Sequence, residues 1–185
     1  MRRHRRLPVL ALLLAVAACT PAQESADTPA DSLPSPAPAA DRPVAPDLTG
    51  PGLDGRQVRL SDYRGKVVVL NVWAAYCGPC RAEAPELARV HRALAGKGLQ
   101  VLGVDTDADR AQGRAFQKEH DLPYPSLHDP SSRQLLRLPR KYLTQALPYT
   151  LFLDRDGRIA ARSLGGLTEA DVRSVTRTLL EEKAG

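Results

Sequence analysis

The stretch from Lys66 to Leu94 limits the possible folds more than any other. Lys66-Val67-Val68-Val69-Leu70-Asn71-Val72-Trp73 is a β-branched, apolar run of the kind that fills a strand buried on both faces. It passes through Ala74-Ala75-Tyr76 into Cys77-Gly78-Pro79-Cys80. Beyond these, Leu87, Val90 and Leu94 recur at helical spacing, and Pro79 suits a first helical turn. The C-x-x-C therefore sits at the carboxyl end of a buried strand, where ligands and chemistry gather in α/β sheets. Cys77 then stands at a helix N-terminus. Unpaired amide N–H groups and the macrodipole favour a thiolate there by roughly 1 kcal/mol, up to ~2 when partly buried. With ~1.36 kcal/mol to a pKa unit, that moves a thiol from ~8.5 towards ~7, where it attacks disulfides readily. Cys77 and Cys80 read as a redox dithiol, Cys77 attacking and Cys80, one turn inside, resolving. Half of a zinc site and a structural disulfide are the other readings of the pair. Zinc needs a second ligand pair, and the remaining cysteine, Cys19, is far away in sequence.

Arg2, Arg3, Arg5 and Arg6 precede an apolar run from Val9 to Ala18, too short to span a bilayer permanently and suited to a signal peptide over residues 1–18. Its end, Val16-Ala17-Ala18-Cys19, resembles the bacterial lipobox, which implies lipidation of Cys19 and a mature chain that begins there. Stable anchoring by several acyl chains follows, and the odd cysteine count is explained. A twin-arginine export signal fits less well, because Pro8 interrupts the apolar residues after Arg6. Residues 19–46 are rich in Pro, Ala, Ser and Asp without apolar periodicity and read as a disordered, semi-extended tether. Removing residues 1–18 takes away four of 26 basic residues and none of 21 acidic ones, so the side-chain balance falls from +5 to +1. Most of the basic character belongs to targeting. No basic stripe interleaved with aromatics suggests nucleic-acid binding.

The rest of the chain, 47–185, reads as one α/β domain. Leu53-Asp54-Gly55-Arg56 is a turn before the alternating strand Gln57 to Leu60, giving an N-terminal hairpin. Leu99 to Asp105 is a second buried strand, and 108–120 an amphipathic helix with Ala111, Ala115 and Phe116 inward. Pro123, Pro125 and Pro130 divide the next segment into short extended pieces, and 132–138 is a short helix stopped by Pro139. Tyr149 to Leu153 and Arg158 to Arg162 form a hairpin, and Thr168 caps a last helix with Val172, Val175 and Leu179 inward. Pro148 opens a strand, where its missing N–H is tolerated. His91, His120 and His128 read as surface or packing residues, since nothing in their spacing selects one as a metal ligand.

With these elements in place, the chain resembles the TlpA/ResA-like thiol-disulfide oxidoreductases, redoxin-type members of the thioredoxin superfamily. The matching text is Ala45-Pro46-Asp47-Leu48, Asp54-Gly55, Leu60 through Ala74, Cys77 to Cys80 with Glu83 and Pro85, Val101 to Asp105, and Leu147 through Gly157. The resemblance implies a thioredoxin-like fold with an N-terminal β-hairpin and a central βα insertion. It implies a cis-proline at Pro148 beside the dithiol, with Leu147 presented to substrate. It makes Glu83 a candidate proton acceptor for Cys80, because Asn71 stands where thioredoxin carries a buried acid. A Glu on a solvated helix face is the alternative. Trp73, Tyr76, Gly78, Pro79 and Leu147 are the expected substrate-binding surface, Trp73 also serving as packing support for the turn and Tyr76 bordering the exposed sulfur.

The function implied is a lipid-anchored, extracytoplasmic oxidoreductase of the bacterial cell membrane. Gly78-Pro79 is the dipeptide of thioredoxin, which is strongly reducing at about −270 mV against about −120 mV for oxidants such as DsbA. That favours a reductant fed by a membrane thiol-disulfide donor. Its clients would be oxidised protein thiols, apocytochrome c among them. The chain is expected to act as a monomer and to need no cofactor. A thiol peroxidase and a copper-binding or chaperone module using the cysteines with a distal histidine are the other function classes. Between Asp129 and Pro148 the chain is a few residues longer than the family pattern, and Leu143, Thr144 and Ala146 depart from it. The loop facing the dithiol is the chain's own.

Overall fold

The computed structural model describes residues 33–182. The signal segment, Cys19 and residues 183–185 lie outside the described residues. In chain order the elements that build the domain are β1 (Thr49–Pro51), β2 (Gln57–Arg59), β3 (Val67–Trp73), α1 (Gly78–Leu94), β4 (Leu99–Asp105), α2 (Arg110–Glu119), β5 (Ser126–His128), β6 (Tyr149–Leu153), β7 (Ile159–Leu164) and α3 (Glu169–Glu181). The first two strands pair as a small antiparallel hairpin. The other five form one sheet in the order β5-β4-β3-β6-β7, parallel from β5 to β3 and antiparallel from β3 to β7. The α2–β5 unit lies between β4 and β6 in sequence, so the fold is the α/β arrangement the resemblance implies.

Every residue of β3 and β4 is buried, as a strand covered on both faces requires. Alternation divides them between two cores. Val67, Val69 and Trp73 face a core shared with Leu87 and Val90 of α1 and Val172, Val175 and Leu179 of α3. Val68, Leu70 and Val72 face one closed by Leu48, Val58, Leu60, Leu135 and Leu138. Thr168 caps α3 in a reciprocal pair with Asp171, its hydroxyl accepting the Asp171 N–H while the Asp171 carboxylate accepts the Thr168 N–H.

Three details differ from expectation. Ala111 and Ala115 are exposed, and α2 buries Gly113 and Phe116. A methyl group at Gly113 would stand 2.5 Å from Asp105 Oδ2, so the missing side chain lets α2 approach β4 closely while Phe116 stacks on Trp73 with ring centroids 4.5 Å apart. The segment 132–138 contributes only a 3-10 turn, Leu135–Arg137, because Asp129 Oδ2 accepts the amides of Gln134 and Leu135 and closes the chain locally. The stretch 33–46, which its composition assigns to the tether, lies along the domain. Ala37 N–H donates to Ala160 O at 2.8 Å, and buried Arg42 meets Asp154 at 3.1 Å and both oxygens of Glu182 at 2.6 and 2.8 Å. Removing one partner of a buried ion pair costs about 3–5 kcal/mol, and the lower end applies here because Glu182 is partly exposed. Arg42 and backbone bonds at Ala37, Pro43 and Ala45 thus hold a proline-rich arm that has almost no apolar pattern.

Candidate functional site

Strand register brings the distant parts of the site together. Val72 pairs with Tyr149 across β3 and β6, so the turn after Trp73 and the residue before Tyr149 meet at one edge. That residue is Pro148, and the Leu147–Pro148 peptide is cis. From the same end of β3 the chain enters Ala74-Ala75-Tyr76 and then α1. Cys77 is the N-cap of α1 in extended conformation, and its Sγ accepts the Cys80 N–H at 3.2 Å. Pro79 lies in the first turn, which holds no acidic residue to oppose a negative sulfur.

Cys77 and Cys80 are joined by a disulfide. Their exposures differ in the sense that exchange chemistry needs: 7% for Cys77 and 1% for Cys80. Gly78 and Pro79 are exposed beside them. Tyr76 is 77% exposed, and Leu147 is half-buried. Trp73 is not part of this surface. It is buried beneath the turn against Phe116, so its place among the substrate-binding residues is corrected to packing support.

Glu83 is buried at 2% exposure, which removes the solvated-face reading. Its Oε2 accepts Asn71 Nδ2 at 3.0 Å and its Oε1 accepts the Leu167 amide at 3.1 Å. Asn71 also donates to Thr150 Oγ1 at 3.0 Å, so the side chain in the familiar acid position orients this carboxyl. Burial raises the Glu83 pKa from its ordinary 4.5 to about 7, partly offset by the hydrogen bonds from Asn71 and Leu167. The cover over Glu83 comes from the loop before α3. A Cβ at Gly166 would lie 3.5 Å from Pro79 O and 3.9 Å from Glu83 Cβ, and the Gly165 N–H donates to Pro148 O at 2.9 Å. One small loop therefore touches the cis-proline, the first turn of α1 and the buried acid.

The end of β4 supplies residues that the sequence reading passed over. Thr106 donates its amide and its hydroxyl to Trp73 O at 3.0 and 3.1 Å, and buried Asp107 accepts the Ala75 N–H at 2.8 Å. These bonds hold Trp73 and Ala75, on either side of Ala74, at the entry to Tyr76-Cys77. Asp105 lies beneath, bonded to the Asp107 amide at 3.1 Å and to His128 Nδ1 at 2.7 Å. Burial, then the neighbouring Asp107 carboxyl, pushes the Asp105 pKa well above the carboxylate range, and burial lowers that of His128. The signal was present as Asp105-Thr106-Asp107, polar residues closing an apolar strand beside the dithiol strand. His128 is committed to Asp105, His120 lies on the Phe116 ring at 4.4 Å, and His91 Nδ1 faces the Val101 amide at 3.4 Å. Among the described residues no group of three or more His, Cys, Asp or Glu is placed to hold a metal ion.

The geometry is that of a C-x-x-C disulfide at a helix N-terminus, with a cis-proline at the same edge of the sheet, and known proteins match it. The AhpC/TSA family model matches residues 42–162. The chain belongs to the AhpC/TSA family. Within it, the chain is 30% identical over 130 residues to the thiol-disulfide oxidoreductase ResA of Geobacillus thermodenitrificans, covering 70% of this chain and 72% of that one. It is 34% identical over 131 residues to the thioredoxin-like protein YneN of Bacillus subtilis, covering 69% and 74%. Among solved structures, a secreted thiol-disulfide isomerase from Corynebacterium glutamicum superposes with a TM-score of 0.72 at 34% identity, over 84% of this chain and 96% of that one. A thiol:disulfide interchange protein DsbE from Chlorobium tepidum gives 0.67 at 29%, over 75% and 96%. This AhpC/TSA member is a thiol-disulfide oxidoreductase of the thioredoxin superfamily.

Proposed function

We propose that the protein is a lipid-anchored, extracytoplasmic reductant of protein disulfides, with Cys77 as nucleophile, Cys80 as resolving thiol and Glu83 as the acid-base partner of Cys80. The observation that carries this reading is the asymmetry of the dithiol: Cys77 is the more exposed sulfur at the N-cap, and Cys80 is sealed. In the reduced protein the Cys77 thiolate attacks one sulfur of a client disulfide, forming a Cys77–client bond and releasing the other client sulfur as a thiolate. Cys80 gives up its proton and attacks Cys77 Sγ, releasing the second client thiol and closing the Cys77–Cys80 disulfide. Two electrons pass to the client, and a membrane thiol-disulfide donor restores the dithiol.

Glu83 lies three residues beyond Cys80, one turn further on the same buried face. A carboxyl with a pKa of about 7 can both take and return a proton near neutral pH. Leu147 and Pro148 border the exposed sulfur as the surface for an extended client chain, with Tyr76, Gly78 and Pro79 completing it. Oxidised protein thiols are the clients, apocytochrome c among them, and the chain acts as a monomer. The residues read as signal peptide, lipobox cysteine and tether support a location outside the cytoplasm. Among the described residues no helix is long and apolar enough to cross a membrane.

The test is a trapping experiment on the full chain. Cys80→Ser is expected to accumulate a reducible Cys77–client adduct, and Cys77→Ser to form none and to lose exchange. Adducts on Cys80 in the Cys77→Ser protein, or full exchange by it, would overturn the assignment.

A further inference from the structure

The segment that departs from the family pattern builds a groove beside the dithiol. It begins at Tyr76 and Leu147, neighbours in sequence of Cys77 and Pro148, and continues past Leu135, Leu136, Leu143 and Tyr149, enclosing about 680 Å³. Of the four large apolar side chains exposed among the described residues, two line it: Tyr76 at 77% and Leu136 at 66%. Exposed apolar area gathered in one concave place marks a contact site, unlike the same area scattered singly.

The segment that supplies this wall carries charge outside the groove lining itself. Residues 130–147 contain Arg133, Arg137, Arg140 and Lys141 and no Asp or Glu. All four cations are exposed, and among the described residues none meets a carboxylate; Arg59, Arg110 and Arg177 also lack such a partner, so what sets these four apart is their clustering in one segment without an acid. Arg137 is held against Asp47 O and Gln134 Oε1, and Lys141 Nζ lies 5.0 Å from the Tyr142 ring. The neighbouring carboxylate, Asp129, is buried and occupied by the amides of Gln134 and Leu135. With this wall included, the chain from residue 19 onward is close to neutral at +1, and without its four cations the balance is −3, so the cations set a local field that the net charge does not reveal.

We propose that this groove selects client segments that are apolar next to their disulfide and acidic beyond it, the apolar side chains seated between Tyr76 and Leu136 and the carboxylates meeting Arg133, Arg140 and Lys141. The proposal rests on disulfide reduction at Cys77. Apolar contact supplies affinity, and unpaired rim charges chiefly raise the association rate for a partner of opposite sign. Salt screens such a contribution.

The test compares two peptides, each carrying a disulfide flanked by leucines, one with glutamates and the other with lysines further out. Reduction of each by the reduced full-length protein is followed at low and high salt, with uncharged hydroxyethyl disulfide as a third substrate of the native protein. The acidic peptide is expected to react roughly tenfold faster at low salt, the low end of electrostatic steering, with the ratio closing towards one at high salt. In the protein carrying Arg133→Glu, Arg140→Glu and Lys141→Glu the ratio is expected to invert. The salt series on the native protein decides the matter even if that variant folds poorly. Equal rates for the two peptides at low salt overturn the proposal, whether the groove then proves to bind anionic vesicles or a second copy of the chain. Failure on hydroxyethyl disulfide as well would instead strike the assignment of Cys77.

Discussion

At the residue scale, Glu83 shows what burial does to a carboxyl one turn from the dithiol. A carboxyl held by one side-chain amide and one backbone amide would ordinarily be acidic, yet desolvation outweighs both and leaves its pKa at about 7. The stability consequence has a definite sign. Below pH 4.5 the group is protonated in both folded and unfolded chains and costs nothing, whereas between 4.5 and about 7 only the unfolded chain ionises. Stability therefore falls as pH rises through that window, by a total on the order of 3 kcal/mol, and stays lower above it. Glu83→Gln is expected to remove this slope in denaturant titrations run from pH 4 to 8. It is also expected to slow disulfide exchange by up to about 10²-fold, the low end of acid-base assistance, and to flatten its pH profile, since thiols also exchange unaided. Superimposable rate profiles for the two proteins would make Glu83 a structural residue only.

At the scale of elements, the site is the junction of four: the end of β3, the start of α1, the end of β4 and the start of β6. Asp107 is the brace between two of them, its carboxylate accepting the Ala75 amide at 2.8 Å. Asp107→Ala leaves that part-buried donor without its partner, at the low end of the about 1–3 kcal/mol for a fully buried one. The expected result is at least tenfold faster hydrogen exchange at the Ala75 amide and slower disulfide exchange, with the α3 amides unchanged. Unaltered protection at Ala75 would show that the turn holds itself. The elements that were legible in the sequence are those with strong periodicity or a cap: β3 from its β-branched run, α1 from Leu87, Val90 and Leu94, and α3 from Thr168. The inward face of α2 was not, because Gly113 contributes by having no side chain and apolar pattern cannot register that. Asp107 and the Gly165-Gly166-Leu167 cover were equally hidden, since each acts on residues far away in sequence. The dithiol was legible because its partners, strand and helix, adjoin it. For Glu83 the position was legible in the sequence, and the fold adds the burial that raises its pKa to about 7, on which its proposed proton-carrying role rests.

At the scale of the molecule, the domain begins earlier than composition suggests. Arg42 ties the proline-rich arm to Asp154 and Glu182, so the arm is anchored at the β6–β7 turn and the end of α3. On the proposed reading of a lipid anchor at Cys19, the segment available as tether would be correspondingly shorter than 19–46, with a shorter reach. Cys19→Ala is expected to move the full chain from the detergent phase to the aqueous phase or to leave it as an uncleaved precursor. Unchanged partitioning with normal processing would remove the lipid anchor from the account.

The central claim is that the N-terminus of α1 makes Cys77 the acidic, accessible thiol and keeps Cys80 in reserve. Alkylation of the reduced full-length protein by iodoacetamide, followed across pH and mapped by mass spectrometry, measures this directly. Cys77 should label first, with a midpoint below the ~8.5 of a free thiol. Labelling of Cys80 first, or equal labelling of both with a midpoint at or above ~8.5, would contradict it.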